Sequence, residues 1–161
     1  MALERREHRL ALELLYAVDV GKVSREDAVR QAKDATGVFG RGDQSAEEDP
    51  YEPLYPAVDR RADAPRPTDW SLVELLVAGT LERKSELEAE IEPLLRRWRL
   101  ERLSEIDRLI LIMGAFELRF RPQAQAAAVL NHAIELARRF STERSGEFVN
   151  GVLDAFAKSP K

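Results

Sequence analysis

The side chains best suited to chemistry stand near the start of the chain. Arg5, Arg9, Leu12 and Tyr16 follow one another at i, i+4, i+7 and i+11, a spacing that aligns them on one stripe of an α-helix. Arg6 and Glu13 lie beside them. Guanidinium forks bind phosphates and stack on bases, and a tyrosine adds a ring and a hydroxyl, so the chemistry on offer is RNA recognition. A second basic group, Arg138, Arg139 and Arg144, surrounds the expected turn before the last helix, and Phe148 follows Arg144 by four residues. A ring half exposed at a helix start is available for base stacking. Each feature also has a plainer reading. The first stripe is then a solvated face whose Glu–Arg pairs contribute about 0.2–0.5 kcal/mol each, with Glu4 and Glu7 interrupting its positive field. Arg138 and Arg139 then offset a helix dipole, and Phe148 is core.

Catalytic chemistry finds no such support. The two histidines, His8 and His132, fall on different expected helices, and neither has a second histidine at metal-ligand spacing. A lone helical histidine is more often structural or solvated. There is no cysteine, which excludes thiol catalysis, disulfides and zinc–thiolate sites. Glycine-rich nucleotide loops and a GxSxG elbow are absent. Glu101, Glu105 and Asp107 read as solvated helix-end charges. The expectation is a protein that is not an enzyme and carries neither cofactor nor metal.

A length of 161 residues suits one domain. With 44% hydrophobic and 34% charged residues, a folded, soluble chain is expected. The net charge of −4 argues against a wholly basic nucleic-acid binder, but residues 36–67 alone carry seven acidic and four basic side chains. Most of the negative excess is therefore local, which leaves room for a basic face elsewhere. The same stretch holds five of the eight prolines and three of the eight glycines. It reads as an irregular insertion, in which Tyr51, Leu54 and Tyr55 are candidates to dock on the body. The N-terminal charges precede no apolar stretch, so no signal peptide is expected. The longest apolar run, residues 109–116, is far short of a membrane span, and the cytoplasm is the expected location.

The positioning elements all read as helices. Leu10, Ala11, Leu14, Leu15 and Val18 give a helical stripe over residues 3–18. Ser24 caps a short helix over 26–34. A long helix from Asp69 carries Leu72, Leu75, Leu76, Gly79, Leu87 and Ile91 on its stripe, with Pro93 as its break. Ser104 to Asp107 resembles a capping box. It opens a helix apolar on nearly all sides that ends before Pro122. In that helix Gly114, about 1 kcal/mol worse than alanine, implies close approach of a neighbour. Helices over 125–140 and from 143 or 145 onward complete an all-α chain with no strand pattern outside the insertion: a helical bundle, or two small bundles packed together.

Three stretches carry a resemblance: RLSEIDRLILIMGAFEL, then AIELARRF at 133–140, then FVNGVLD at 148–154. Together with Ala11–Tyr16 and Leu76–Gly79 they resemble the NusB family of transcription antitermination factors over nearly the whole chain apart from 36–67. The resemblance implies two perpendicular three-helix bundles in a single RNA-binding domain over residues 1–161. It also implies antitermination of ribosomal RNA operons. The partners would be boxA RNA in the nascent transcript and the small-subunit ribosomal protein NusE, and indirectly RNA polymerase and other Nus factors. Arg5 and Arg6 match the family's arginine-rich start, while Glu4 and His8 stand where arginine is frequent. Tyr16 matches an aromatic of the functional surface. Asp107 takes the place of an acidic residue linked to partner or RNA contact. Arg144 replaces a residue often acidic, and Phe148 and Asn150 match. The expected RNA-binding set is Arg5, Arg6, Arg9, Tyr16, Arg144 and Phe148, with Asp107 for the protein partner.

Two other readings stay open. NusB-like domains also begin some ribosomal RNA cytosine methyltransferases, which would make this chain the front of an enzyme. A helical module that binds protein and little RNA would suit the acidic balance and the glutamates of the first helix.

Overall fold

The computed structural model describes residues 5–36, 67–96 and 99–159. Seven α-helices run in the order α1 (Arg5–Asp19), α2 (Arg25–Thr36), α3 (Trp70–Glu82), α4 (Lys84–Ile91), α5 (Glu105–Phe120), α6 (Ala126–Phe140) and α7 (Glu143–Lys158), with 3-10 turns at Glu92–Leu94 and Leu100–Arg102. No strand occurs among the described residues. The expected insertion falls almost wholly on residues 37–66, outside the described residues, and so do Tyr51, Leu54 and Tyr55.

Helices α1, α2 and α3 pack on one another, as do α5, α6 and α7, and α4 lies along α5. The all-α expectation of two packed three-helix groups is met, with α1 and α3 also touching α5 between them. The sequence explains why α5 is the hub. Leu109, Ile110, Leu111, Ile112, Met113, Ala115 and Phe116 are all buried, so no side of this stretch faces water. Each large apolar side chain so placed is worth about 1.5–3 kcal/mol relative to exposure. The helix starts where Ser104 Oγ accepts the Asp107 N–H at 3.2 Å, half of the expected box. Ser24 likewise accepts the Asp27 N–H at the start of α2, and Thr142 caps α7 through the Ser145 N–H.

Two glycines permit the close approaches. A Cβ on Gly114 would stand 2.7 Å from Leu153 Cδ1, so α7 fills the expected gap over α5. A Cβ on Gly79 would stand 2.1 Å from Phe116 Cζ, and Phe116 is itself buried. Gly79→Ala is therefore expected to lower stability by about 1–3 kcal/mol through overpacking, measured by urea unfolding. Gly151→Ala is the control: nothing lies within 4 Å of the added carbon, and helix propensity gains up to about 1 kcal/mol.

Three details depart from expectation. The long third helix breaks at Arg83, not at Pro93. Arg83 leaves helical geometry at φ −102°, ψ 6°, its N–H bonding to the Gly79 and Leu81 carbonyls, and the chain turns to run along α5. The run LERKSELEAEI is helix-forming throughout, so nothing local announces the turn. Pro93 instead sits at the start of a 3-10 turn, where its missing N–H costs little. Leu75 is 46% exposed, and Val73 and Val77 take the core positions beside Leu72 and Leu76. Leu12, read as part of the arginine stripe, is buried at 1%. Helix α1 is thus apolar around more of its girth than a single stripe.

Candidate nucleic-acid interface

Packing of α1 on α6 brings the two basic groups of the sequence together. The Arg5 guanidinium donates to both carboxylate oxygens of Glu135, Nε–Oε2 at 2.9 Å and Nη2–Oε1 at 3.2 Å. The fork is only about a quarter exposed on each side, a planar bidentate match that holds the start of α1 against the middle of α6. Arg138 and Arg139 lie one helical turn further along α6 from Glu135. The Arg138 side chain crosses α7 at Gly146, its Cγ 3.0 Å from where a Cβ would stand. Exposed Arg144 precedes that glycine by two residues on the first turn of α7. Arg6 and Arg9 on α1 are half-buried, each making contacts within the protein. The Arg5–Glu135 fork and the Arg138–Gly146 contact thus link arginine-bearing segments of α1, α6 and α7, a link that neither sequence cluster showed by itself.

Phe148, one turn beyond Arg144 on α7, is half-buried and packs against the core. It is therefore neither wholly core nor wholly exposed. Tyr16 is 41% exposed but lies about 16 Å along the helix axis from Arg5, too far to share a nucleotide with it. Its near neighbour at helical spacing is Val20, 40% exposed. Glu7, expected to interrupt the positive field, does not face water. It is buried at 1% and accepts the Asp69 N–H at the start of α3 at 3.0 Å.

Asp107 is not a simple solvated charge either. Its Oδ2 accepts the Ser145 hydroxyl at 3.1 Å, tying the start of α5 to the start of α7. Oδ1 is enclosed with no hydrogen-bond partner. Ser141 and Thr142 hydroxyls lie 3.0 and 2.9 Å from the same Ser145 hydroxyl. This carboxylate thus fixes the helix start that presents Arg144 and Phe148.

Beneath α1 lies a buried polar cluster that residue spacing did not reveal. His8 Nε2 and Glu117 Oε1 hydrogen-bond at 2.7 Å, and Arg121 donates to Glu117 Oε2 at 2.7 Å. All three side chains are nearly or wholly buried. The His132 ring stacks on His8 with centroids 4.3 Å apart. Burial, and then the neighbouring His8, push the His132 pKa down to about 4. The two histidines meet across helices distant in sequence, so their spacing carried no signal. The one available clue was Glu117, an acid inside an otherwise apolar run. No group of three or more potential metal ligands forms among the described residues. No helix among them is long and apolar enough to cross a membrane.

Comparison with known proteins bears on the family and the fold. The NusB family profile matches residues 5–158. The transcription antitermination protein NusB of Clostridium botulinum (strain Kyoto / Type A2) is 32% identical over 149 residues, spanning 92% of this chain and 95% of that protein. That of Elusimicrobium minutum is 45% identical over 87 residues, 53% of this chain and 62% of its own length. Among solved structures, T. maritima NusB superimposes with a TM-score of 0.69 at 28% identity, covering 96% of this chain and 90% of that one. A structure of antitermination factors NusB and NusE in complex with dsRNA shares the fold, with a TM-score of 0.71 at 20% identity and 98% coverage of each chain. With a match that takes in every described helix from Arg5 to Lys158, the chain belongs to the NusB family.

Proposed function

We propose that this protein is a non-catalytic, cytoplasmic transcription antitermination factor that binds boxA RNA of ribosomal RNA operons together with ribosomal protein NusE. Through that complex it acts on RNA polymerase alongside other Nus factors. The observation that carries the reading is the convergence of α1, α6 and α7 arginines through the Arg5–Glu135 fork, in a chain whose relatives are named for antitermination. RNA contact is assigned to Arg5, Arg6, Arg9 and Arg144, with Phe148 offering an anchored ring edge. Tyr16, at the far end of α1, serves a second stretch of the same surface. The whole described chain acts as one domain, with residues 36–67 as an insertion.

Arg9→Ala and Arg144→Ala test the assignment. Each is expected to weaken boxA binding and to reduce the slope of log K against log salt by about 0.7, the contribution of one phosphate contact to a single strand. Unchanged slopes in both variants would remove these residues from the RNA face. Asp107 is assigned to the protein partner. Asp107→Asn retains an acceptor for the Ser145 hydroxyl while removing the charge. It is expected to weaken NusE binding in calorimetry with the melting temperature unchanged. Equal affinity would leave Asp107 the role of positioning α7 alone.

A module that binds protein but not RNA is the competing reading, favoured by the net charge of −4. It predicts NusE binding that boxA RNA does not strengthen.

A further inference from the structure

The most basic stretch of the chain is not among the residues assigned above. Residues 95–103 hold four arginines and one glutamate, in a chain whose net charge is −4. Arg97 in this stretch lies outside the described residues, and the inference rests on Arg96, Arg99 and Arg102.

The described residues on either side of 97–98 are pinned from inside. Leu95 and Leu100 are buried at 6% and 5%. The Leu100 N–H donates to Glu92 Oε2 at 3.0 Å, and Leu103 packs against the core. With the leucines turned inward, Arg96, Arg99 and Arg102 are all exposed. Their charges are not consumed by the fold. Neither Arg96 nor Arg102 forms an ion pair with a described residue, and Arg99 reaches only Glu101, at 3.8 Å with both side chains about three-quarters exposed. Such a pair contributes little. Dipole compensation, which is open to Arg138 and Arg139 at the end of α6, does not apply. These arginines precede the start of α5, where positive charge is unfavourable. Glu105 and Glu143 stand in the first turns of α5 and α7, and Glu105 faces Arg108 at 3.9 Å.

Arg102 also stands within a bounded chain distance of the helix start that presents Arg144. Arg102 is five residues before Asp107, hence at most about 18 Å from it, and Asp107 is hydrogen-bonded to the residue after Arg144. From these placements we infer that Arg96, Arg99 and Arg102 form a second, sequence-independent contact for the phosphates of single-stranded RNA flanking boxA. This inference rests on the proposed boxA binding and extends it. Exposed guanidinium groups flanked by buried leucines suit a passing strand, because phosphates are uniform and need no base readout.

The test compares the full chain with the variant Arg96→Gln/Arg99→Gln/Arg102→Gln, each with NusE, by fluorescence anisotropy over a salt series. One RNA is boxA alone and the other is boxA with unstructured flanks on both sides. For the wild type, flanks are expected to tighten binding and steepen the salt slope by about 2, the sum for three phosphate contacts. In the variant that gain is lost, while affinity for boxA alone and the melting temperature stay unchanged. If boxA alone binds but flanks add nothing, or the variant keeps the whole gain, the inference is overturned and the functional reading stands. A defect that appears only in NusE binding likewise overturns it in favour of an acidic protein contact. If neither RNA binds the wild type, the functional reading fails first and takes this one with it.

Discussion

Glu117→Ala is expected to lower the unfolding free energy by about 3–5 kcal/mol, the usual cost of removing one member of a buried ion pair. Glu117 is 2% exposed and stands between His8 and Arg121, with 2.7 Å contacts to each. Arg121 is 7% exposed, so its guanidinium cannot recover by rehydration without the end of α5 opening. Glu117→Gln preserves the shape and one acceptor but cancels the charge, and should cost less. Urea unfolding of the two variants separates charge loss from cavity formation. Equal and small effects in both would show that the cluster is a tolerated rather than a stabilising feature. The effect reaches the proposed RNA surface because His8 lies one turn from Arg5 on α1. A loosened cluster should raise hydrogen exchange across the start of that helix.

The second large effect is a pH dependence. The His132 pKa falls from the ordinary 6.5 to about 4 because burial disfavours its charged form, with His8 adding to the penalty and Glu117 opposing it. Arg5, which faces the same cluster, also disfavours the charge. The unfolded chain therefore binds a proton at His132 before the folded one does. The stability from its neutral form is fully present above pH 6.5 and is lost as pH falls toward 4. At ~1.4 kcal/mol per pH unit, the loss reaches about 3 kcal/mol near pH 4. In His132→Gln this component disappears, so the difference between wild-type and variant stability should narrow steadily from pH 7 to pH 4. A pH-independent difference would contradict a buried neutral imidazole at this position. Asp19 is a separate contributor: Lys84 holds its pKa below the usual 3.8 against the opposing effect of burial. Its share of stability is lost only below that range, outside the His132 window.

Much of the fold was legible because its signals are local. The apolar density of residues 109–116 marks α5 as central, and burial on all sides follows. Ser24 and Ser104 are short polar side chains where a helix must begin, and each caps as such residues do. Gly114 announced a close neighbour by its cost alone. What was not legible depends on contacts between distant segments. The turn at Arg83 follows from wrapping α4 along α5, while the residues around it all favour helix. Leu12 looked like a surface position because a helical wheel cannot say how many helices will surround it. In α1 the answer is several, including α3 and α5.

The site divides in the same way. Arg5, Arg9, Arg144 and Phe148 were visible as residue types with suitable spacing, but the link from α1 to α6 is the Arg5–Glu135 fork, between residues 130 apart in sequence. Glu7 looked like a surface charge that weakened the positive face, and burial against α3 removes that objection. The His8–Glu117–Arg121 cluster belongs to three-dimensional packing. A histidine on α1 and another on α6 carry no mark of their stacking until the helices are placed.

Binding of fluorescent boxA RNA by anisotropy, with and without NusE and against a scrambled RNA at fixed salt, tests the central claim most directly. The account predicts a preference for boxA that NusE strengthens, and an equal factor by which boxA strengthens NusE binding, since coupling between two ligands is reciprocal. NusE binding with no preference for boxA over the scrambled sequence would contradict it.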